Sequence, residues 1–273
     1  EPNKENILMD VKEGRSGMLR FGGGYGANVG AFADISYTDR NFDVFDLPKG
    51  WNDFVQGNAF RGAGEILTLR FSPGFQRTEI LTSLTNPSVF DSPYSAGVSA
   101  YDYLRYYMEY QQKDLGASVS VGREIWRDFF VKLSPAFDII DIQRWDSSIS
   151  TGGGLFGVAA PTLTGIPPQD VIDAEGSHLK AGVTVSAIIN RTDNIYAPTR
   201  GYEGESSLEV AGLDVKIAKY KFRTTKYNTL FEVPGWGKHV VSYGGLFGIV
   251  VPTSSEKVPI FERVSIPSLY SKP

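Results

Sequence analysis

The sequence predicts an all-β protein built from antiparallel strands. Polar and apolar residues alternate along most of the chain, which is the period-two pattern of strands. The composition is rich in Gly (30), Tyr (14) and Phe (17) and holds only 3 Met, as is typical of β-structure. Pro, Gly and Asn separate the alternating stretches, and hardly any segment carries a helical period.

Strand candidates run from end to end of the chain. The first, GMLRFGGGY, places Leu19, Phe21 and Tyr25 on one face. GAFADISYTD, EILTLRFS, DLGASVSVG, FFVKLSPAFDI and HVVSYGGLFGIVV alternate in the same way. We expect about eleven strands, many of them near the ~9–11 residues with which a tilted strand crosses a bilayer. The alternation changes phase at 101–108 and at 220–231, which indicates a bulge or a strand that continues beyond the membrane.

The segments LKAGVTVSAII and GYEGESSLEV predict a hairpin, because both alternate and NRTDNIYAPTR lies between them. Asp, Asn and Pro in this connection, and the Gly201 that follows it, favour a turn. In the second arm, Glu203, Glu205 and Glu209 share one face, whereas Leu208 and Val210 share the other.

Composition and charge exclude several classes of protein. With 41% apolar and 21% charged residues the chain is too apolar for disorder, and its net charge of −4 argues against a nucleic-acid partner. It has no cysteine, hence no disulfide framework or thiolate metal site. No apolar run approaches the ~20 residues of a membrane-spanning helix. The start, EPNKENILMDVKEG, carries no signal peptide, so we expect a cytosolic protein or a mature piece of something longer.

Alternation alone fits two architectures. A soluble sandwich or barrel buries its apolar face, whereas a membrane barrel turns that face to lipid and its polar face to a wet lumen. If the chain runs up and down, one set of connections contains Trp51, NPSVFDSPYS, Trp126, NIYAPTRG and Trp236, which favours an aromatic girdle at a membrane interface. The other set contains the long segment 146–176, so we expect short turns on one side and longer loops on the other.

Five landmarks resemble BamA-like outer-membrane assembly factors, the bacterial surface antigen family. RTDNIYAPTRGYEGESSLEVAG resembles the Thr-x-Asp-Asn…Pro-Thr-x-Gly hairpin of that family. ILMDVKEGRSGMLRFGGGYG resembles the last strand of a POTRA domain running into the first barrel strand. DRNF…FRGAGEILTL, LTNPSVFDSPYSAGVSAYD and VPIFERV resemble the next turn with the third strand, the turn between the fourth and fifth strands, and the start of the long sixth extracellular loop.

This resemblance implies an antiparallel transmembrane β-barrel that is incomplete, with about eleven of roughly sixteen expected strands. Residues 1–14 would be the end of a POTRA domain, and residues 15–273 the N-terminal part of the barrel, ending in a long extracellular loop. An open arc leaves an unpaired edge at membrane depth, so we expect the chain to be a piece of a longer protein. The tail from about Val264 departs from the family's Val-Arg-Gly-Phe pattern.

The resemblance also assigns residues to roles. The first strand would form a seam that opens sideways, although its glycines fit equally well as relief of crowding beside aromatic residues; the seam residues are Leu19, Phe21, Gly22, Gly23, Gly24 and Tyr25. A tight periplasmic turn would contain Asp193, Asn194, Pro198, Thr199 and Gly201. Glu203, Glu205 and Glu209 would face the lumen, where carboxylates stay hydrated. Glu262 and Arg263 would form an ion pair in the loop, either at the rim or inside the barrel.

No catalytic chemistry is evident in the sequence. The glycines at 22–26 lack the spacing of a nucleotide-binding loop, and His178 and His239 have no metal-ligating neighbour at a useful spacing. We therefore expect no enzyme activity, no cofactor and no metal.

The expected function is the assembly and insertion of β-barrel proteins in the outer membrane of a Gram-negative bacterium. The implied partners are outer-membrane lipid, unfolded outer-membrane proteins and, through further POTRA domains, the lipoproteins of an assembly machinery. Two alternatives remain at this stage: a two-partner-secretion pore that exports one passenger, and a plain porin or soluble sandwich.

Overall fold

The computed structural model describes residues 16–26, 30–56, 59–107, 110–144, 169–194, 197–233, 237–255 and 257–263. Within them, strands β1 to β11 form one 11-stranded antiparallel sheet whose order follows the chain. The strands are β1 (Gly17–Gly26), β2 (Gly30–Phe42), β3 (Glu65–Ser72), β4 (Arg77–Asn86), β5 (Tyr94–Tyr106), β6 (Tyr110–Trp126), β7 (Phe129–Arg144), β8 (Gly176–Asn190), β9 (Gly201–Leu213), β10 (Ile217–Val233) and β11 (Gly237–Pro252). This confirms the all-β fold and the strand number. Residues 1–14, assigned above to a POTRA domain, and the tail from Val264 lie outside the described residues.

The connections between strands lie alternately at two ends of the sheet. The end at which β2 meets β3 and β8 meets β9 is here called the turn end, and the opposite one the loop end. At the turn end, residues 43–64 separate β2 from β3 and include α1 (Trp51–Gln56). At the loop end, residues 73–76 and 214–216 suffice to reverse the chain. These connections do not follow the expected division into short turns and longer loops. Residues 145–175 at the loop end and residues 127–128 at the turn end do follow it. No helix in the described ranges is long and apolar enough to cross a membrane.

One face of the sheet, here called the outer face, is apolar, and none of the described residues covers it. A row of paired residues crosses β7 to β11 on this face: Leu133, Val185, Leu208, Tyr220 and Ile249. Leu133 and Leu208 are each 47% exposed. A monomeric soluble protein rarely exposes so continuous an apolar surface, whereas a lipid-facing sheet requires it.

The opposite, inner face carries the polar side chains and the only packed core among the described residues. At its loop end, Tyr110, Ile140 and Ile142 are buried beneath α2 (Gln169–Asp173) and residues 257–263. A second cluster, Ala211, Val215 and Ile217, packs against Val258 and Phe261 of the same segment. The core thus lies between the sheet and the segment 257–263, which we call the docked loop.

Three register shifts interrupt the pairing near the turn end. They lie between Asp39 and Phe42, between Glu124 and Trp126, and between Thr229 and Phe231. Because an extra residue reverses the side-chain alternation, each bulge turns an aromatic ring onto the outer face. Each ring has a paired residue on the neighbouring strand: Glu65 for Phe42, Phe129 for Trp126 and His239 for Phe231. The phase change expected at 220–231 is therefore a bulge, whereas β5 pairs regularly with β6 up to Tyr106.

Candidate functional site: an edge strand and a loop docked on the inner face

Strand β1 lies at one edge of the sheet and is paired along one side only. It forms an unbroken ladder with β2 from Gly17–Asp39 to Gly26–Gly30. No strand among the described residues pairs with its other side. Leu19, Phe21 and Tyr25 project from the outer face and are 55%, 72% and 82% exposed. The backbone ladder to β2 is thus complete, and the free side presents its amide and carbonyl groups as a template.

The glycines of β1 reduce its side-chain packing against β2. Gly22 and Gly24 lie on the inner face opposite Asp34 and Phe32. A Cβ atom at Gly24 would stand 3.1 Å from the Phe32 ring, which lies over the space that the glycine leaves. A Cβ at Gly23 would stand 3.1 Å from the Phe32 carbonyl oxygen. Since cross-strand side-chain pairs are the main stabilising unit of a sheet, β1 depends on its hydrogen bonds more than an ordinary strand does.

The turn between β8 and β9 is organised around Asp193. Its carboxylate accepts hydrogen bonds from the backbone N–H groups of Thr199 (2.7 Å) and Arg200 (2.9 Å) and from the Thr199 hydroxyl (2.5 Å). These donors, the Thr199 hydroxyl first, hold the pKa of Asp193 well below its usual range. Asn194 accepts a bond from the Ala197 N–H (3.1 Å), which tightens the same turn. Asp193, near the start of the turn, is therefore bound to Thr199 and Arg200 at its end.

Gly201 ends this turn in a conformation that only glycine adopts readily. Its φ is +106°, and a Cβ atom there would collide with the carbonyl group of Arg191. Pro198 precedes Thr199, whose carbonyl oxygen accepts a bond from the Thr229 hydroxyl (3.0 Å) on β10. The turn is thus bound to the neighbouring strand as well as closed upon itself.

The three glutamates of β9 lie on the inner face. Glu205 stands opposite Arg223 and Glu209 opposite Lys219 in the β9–β10 register. Glu203 accepts a hydrogen bond from the Tyr227 hydroxyl at 2.9 Å. Glu203, Glu205 and Arg223 line a cavity of about 270 Å³ near the turn end. Glu209 lies closer to the loop end, where it forms an ion pair with Lys180 at 2.5 Å.

Glu262 anchors the docked loop on the inner face. Its carboxylate accepts a hydrogen bond from the Lys180 ammonium on β8 at 2.7 Å and another from the Lys219 ammonium on β10. Glu262, Lys180 and Lys219 are 6%, 7% and 9% exposed. Burial alone would raise the pKa of Glu262, but the two ammonium groups outweigh it and hold that pKa below the usual range. The carboxylate is therefore ionised and compensated where it is buried.

The prediction that Glu262 and Arg263 form an ion pair with each other is wrong. Glu262 ends a short 3₁₀ turn (Ile260–Glu262) with its side chain against the sheet, whereas Arg263 adopts an extended backbone and is exposed. The Arg263 guanidinium instead pairs with Asp170 of α2 at 2.8 Å. Two consecutive charged residues thus fix the docked loop to different elements.

A polar bridge on the inner face joins two strands that are not neighbours. The Tyr101 hydroxyl on β5 donates a hydrogen bond to Asp138 on β7, although β6 lies between them. The β6 residue paired with both is Gly116. Its missing side chain is what allows the contact, because a Cβ atom there would overlap both the Tyr101 ring and the Asp138 carboxylate. Asp138 is in turn paired with Lys180 in the β7–β8 register.

Sequence reasoning assigned no site role to five of these residues: Lys180, Lys219, Tyr101, Gly116 and Asp138. A signal existed for Lys180, which is the only charged residue of the polar face of LKAGVTVSAII. Nothing in the sequence connected it with Glu262. No cluster of three or more His, Cys, Asp or Glu side chains that could hold a metal occurs in the described ranges.

A family model described as the Omp85 superfamily domain matches residues 59–266, most of the chain. The chain belongs to the Omp85 superfamily.

Two BamA proteins are similar to this Omp85 chain, one in sequence and one in fold. It is 25% identical over 254 residues to the outer membrane protein assembly factor BamA of Neorickettsia risticii (strain Illinois), a match covering 89% of this chain and 29% of the relative. BamA from Haemophilus ducreyi lacking POTRA domains 1–3 shares its fold, with a TM-score of 0.66 at 17% identity, over 95% of this chain and 46% of that one. The chain thus spans less than half the length of either protein.

As an Omp85 protein similar to BamA, the chain is located in the outer membrane of a Gram-negative bacterium. Its apolar outer face is the lipid-facing surface, and the resemblance read from the sequence is confirmed. From the resemblance we infer that the turn end is the periplasmic side and the loop end the extracellular side.

Proposed function

We propose that this chain serves in the assembly and insertion of β-barrel proteins into the outer membrane, with β1 as a seam that opens sideways. The observation that carries the proposal is the weak packing of β1. Its ladder to β2 is regular, but three consecutive glycines remove side-chain packing between the two strands.

The energetics of hydrogen bonding favour this role for an edge strand. In the hydrocarbon region water does not satisfy backbone groups, so each unpaired N–H or C=O costs several kcal/mol, on the order of the loss of a full hydrogen bond. When a strand of an unfolded substrate adds to β1 by β-augmentation, the backbone N–H and C=O groups of both strands become hydrogen-bonded. Such binding depends on main-chain hydrogen bonds rather than on the side chains of the substrate, which suits a factor with many client proteins.

The mechanism is physical and involves no covalent step. The lipid partner is bound by the outer face, and unfolded outer-membrane proteins are bound by β1. Lipoproteins of the assembly machinery would be recruited through POTRA domains, which the resemblance assigns to the region that includes residues 1–14. The docked loop, held by Glu262, occupies the inner face at the loop end, where it is bound to β8 and β10.

Site-specific cross-linking tests the proposal. These 273 residues contain no cysteine, so in a full-length protein whose other cysteines are replaced, Leu19→Cys or Phe21→Cys adds a single thiol on the outer face of β1. In the full-length protein, during assembly of a β-barrel substrate, both variants should form disulfides with cysteines in a terminal strand of that substrate. Tyr37→Cys is the matched control, because Tyr37 lies opposite Leu19 but on β2, which is paired on both sides.

Absence of cross-links in a complex that still assembles substrate would refute the seam, as would equal cross-linking from Tyr37→Cys. Cross-links only to an exported passenger would instead identify a secretion pore.

A further inference from the structure

The connection between β2 and β3 exposes large apolar side chains at the periplasmic end of the sheet. Phe45, Leu47 and Trp51 are 87%, 65% and 77% exposed, and Val44 is 39% exposed. In water this would be an unfavourable surface, since these side chains carry more apolar area than most exposed positions.

The backbone of this connection is well organised, which distinguishes it from an irregular linker. The Asp43 N–H donates to the Phe60 carbonyl (2.9 Å), and the Phe60 N–H donates to the Asp46 carbonyl (2.8 Å). Asp43, Asp46 and Asp53 accept the N–H groups of Phe45, Arg61 and Lys49. The carboxylates thus satisfy three backbone N–H groups within the connection, which reduces the cost of entry into a medium poor in water.

The connection is continuous with the lipid-facing surface. The bulge before Phe42 turns its ring to the outer face, where it stacks on Phe60 at a centroid separation of 5.6 Å. The Phe42 position pairs with Glu65, which lies on the same face of β3 as Leu67 and Leu69. The connection therefore begins at the turn-end edge of the outer face, where Asp39 and Glu65 lie beside Phe42 and Leu67.

The same end of the sheet carries other marks of the membrane boundary. The bulges at Trp126 and Phe231 place two further aromatic residues on the outer face, 68% and 56% exposed. Phe90, in the turn between β4 and β5, is 98% exposed. Aromatic side chains concentrate at the level of lipid headgroups, so these residues mark the depth at which β2 ends and the connection begins.

We propose that residues 44–51 insert their apolar side chains into the periplasmic leaflet of the outer membrane and anchor the seam end of the sheet there. These side chains contact phospholipid, at the level where the headgroups meet the acyl chains. Lys49 and the backbone-bound carboxylates lie at the headgroup level, while Phe45, Leu47 and Trp51 enter the acyl region as in an interfacial amphipathic segment. The anchor adjoins β2, the strand that holds β1, so it fixes the depth of the seam.

Depth-dependent fluorescence quenching tests this placement without any assembly assay. Phe45→Cys and Leu47→Cys are introduced into the full-length protein, labelled with the environment-sensitive dye NBD and reconstituted into phosphatidylethanolamine/phosphatidylglycerol vesicles that contain no other protein. Lys49→Cys is the matched control in the same segment, and Trp126→Cys reports the boundary itself. Heat-dependent gel migration establishes that each variant is folded.

The expected result is strong quenching of NBD at Phe45 and Leu47 by lipids with a doxyl group high on the acyl chain. The same labels should show weak quenching by aqueous iodide, with the opposite order at Lys49. Iodide quenching at Phe45 and Leu47 equal to that at Lys49 would overturn the proposal, because the segment would then lie in water. Protection from both quenchers would also overturn it, since a protein domain rather than lipid would cover the surface. Neither result affects the assembly role of β1, which the cross-linking experiment decides.

Discussion

Lys180 and Glu262 form a buried ion pair at 2.7 Å although 82 residues separate them in sequence. The pair joins β8 to the docked loop, and Lys219 on β10 completes it from the other side. Burying charges is unfavourable unless each is compensated, so the three groups are interdependent. The contact therefore specifies where the loop sits, whatever it adds to net stability.

Removal of both lysines should release the docked loop. In Lys180→Met/Lys219→Met, the Glu262 carboxylate would be buried without compensation, which typically costs about 3–5 kcal/mol. We expect the loop to leave the inner face, with faster cleavage by a lysine-specific protease at Lys257. The additional change Glu262→Met should restore most of the protection, since an apolar triad of similar size needs no charge compensation.

Arg263→Ala is the control for this experiment. It removes the ion pair with Asp170, in which both side chains are about 40% exposed or more. Exposed pairs contribute roughly 0–1 kcal/mol, so cleavage at Lys257 should change little. Equal loss of protection in Arg263→Ala and in the double lysine variant would contradict a dominant role for Glu262.

Acid should release the same loop. The pKa of Glu262 is lower in the docked state than in the released state, so its contribution is fully present above the ordinary glutamate pKa of about 4.3. That contribution is lost as the pH falls through the lowered pKa of the docked state. A dye attached to Lys257→Cys should report release at a pH below about 4 and not between pH 5 and 8. In Glu262→Gln this acid transition should disappear.

The outline of the fold was accessible from the sequence because strand alternation is local. Alternation around Leu133, Val185 and Leu208 correctly identified the residues that share the apolar face, and the Asp193 turn was recognisable from its residue types. The bulge at Thr229–Phe231 left a phase change in the sequence. Each of these features depends on residues within one strand or one hairpin.

The partners of the docked loop were not accessible in this way. Glu262 and Arg263 are adjacent in sequence, yet they bind Lys180 and Asp170, which belong to different elements. Choosing between these partners requires the curvature of the sheet and the path of the loop. The contact between Tyr101 and Asp138 was hidden for a related reason, because it depends on a missing side chain in the strand between them.

Gly116→Ala should destabilise the sheet by breaking this bridge. The added methyl group would overlap the Tyr101 ring and the Asp138 carboxylate, and overpacking of this kind costs about 1–3 kcal/mol. Urea unfolding of the folded protein in lipid vesicles should show a lower midpoint. Gly212→Ala is the matched control, since no atom lies within 4 Å of a Cβ at that position. A second change, Tyr101→Val, should recover part of the stability of Gly116→Ala, whereas a larger loss in the double variant would contradict a steric origin.

Gly201→Ala should disrupt the β8–β9 turn more than a comparable change elsewhere. At φ +106° an alanine is strained, and its Cβ would also meet the Arg191 carbonyl group. Gly62→Ala separates the two effects, because Gly62 has φ +122° but open space around the Cβ position. Strain alone costs on the order of 1–3 kcal/mol, so both variants should unfold at lower urea, with Gly201→Ala lower than Gly62→Ala. Amide hydrogen exchange adds a local measure: the N–H groups of Thr199 and Arg200, which Asp193 binds, should exchange faster only in Gly201→Ala. Unchanged exchange at these two amides would show that the turn absorbs the methyl group without losing its Asp193 contacts.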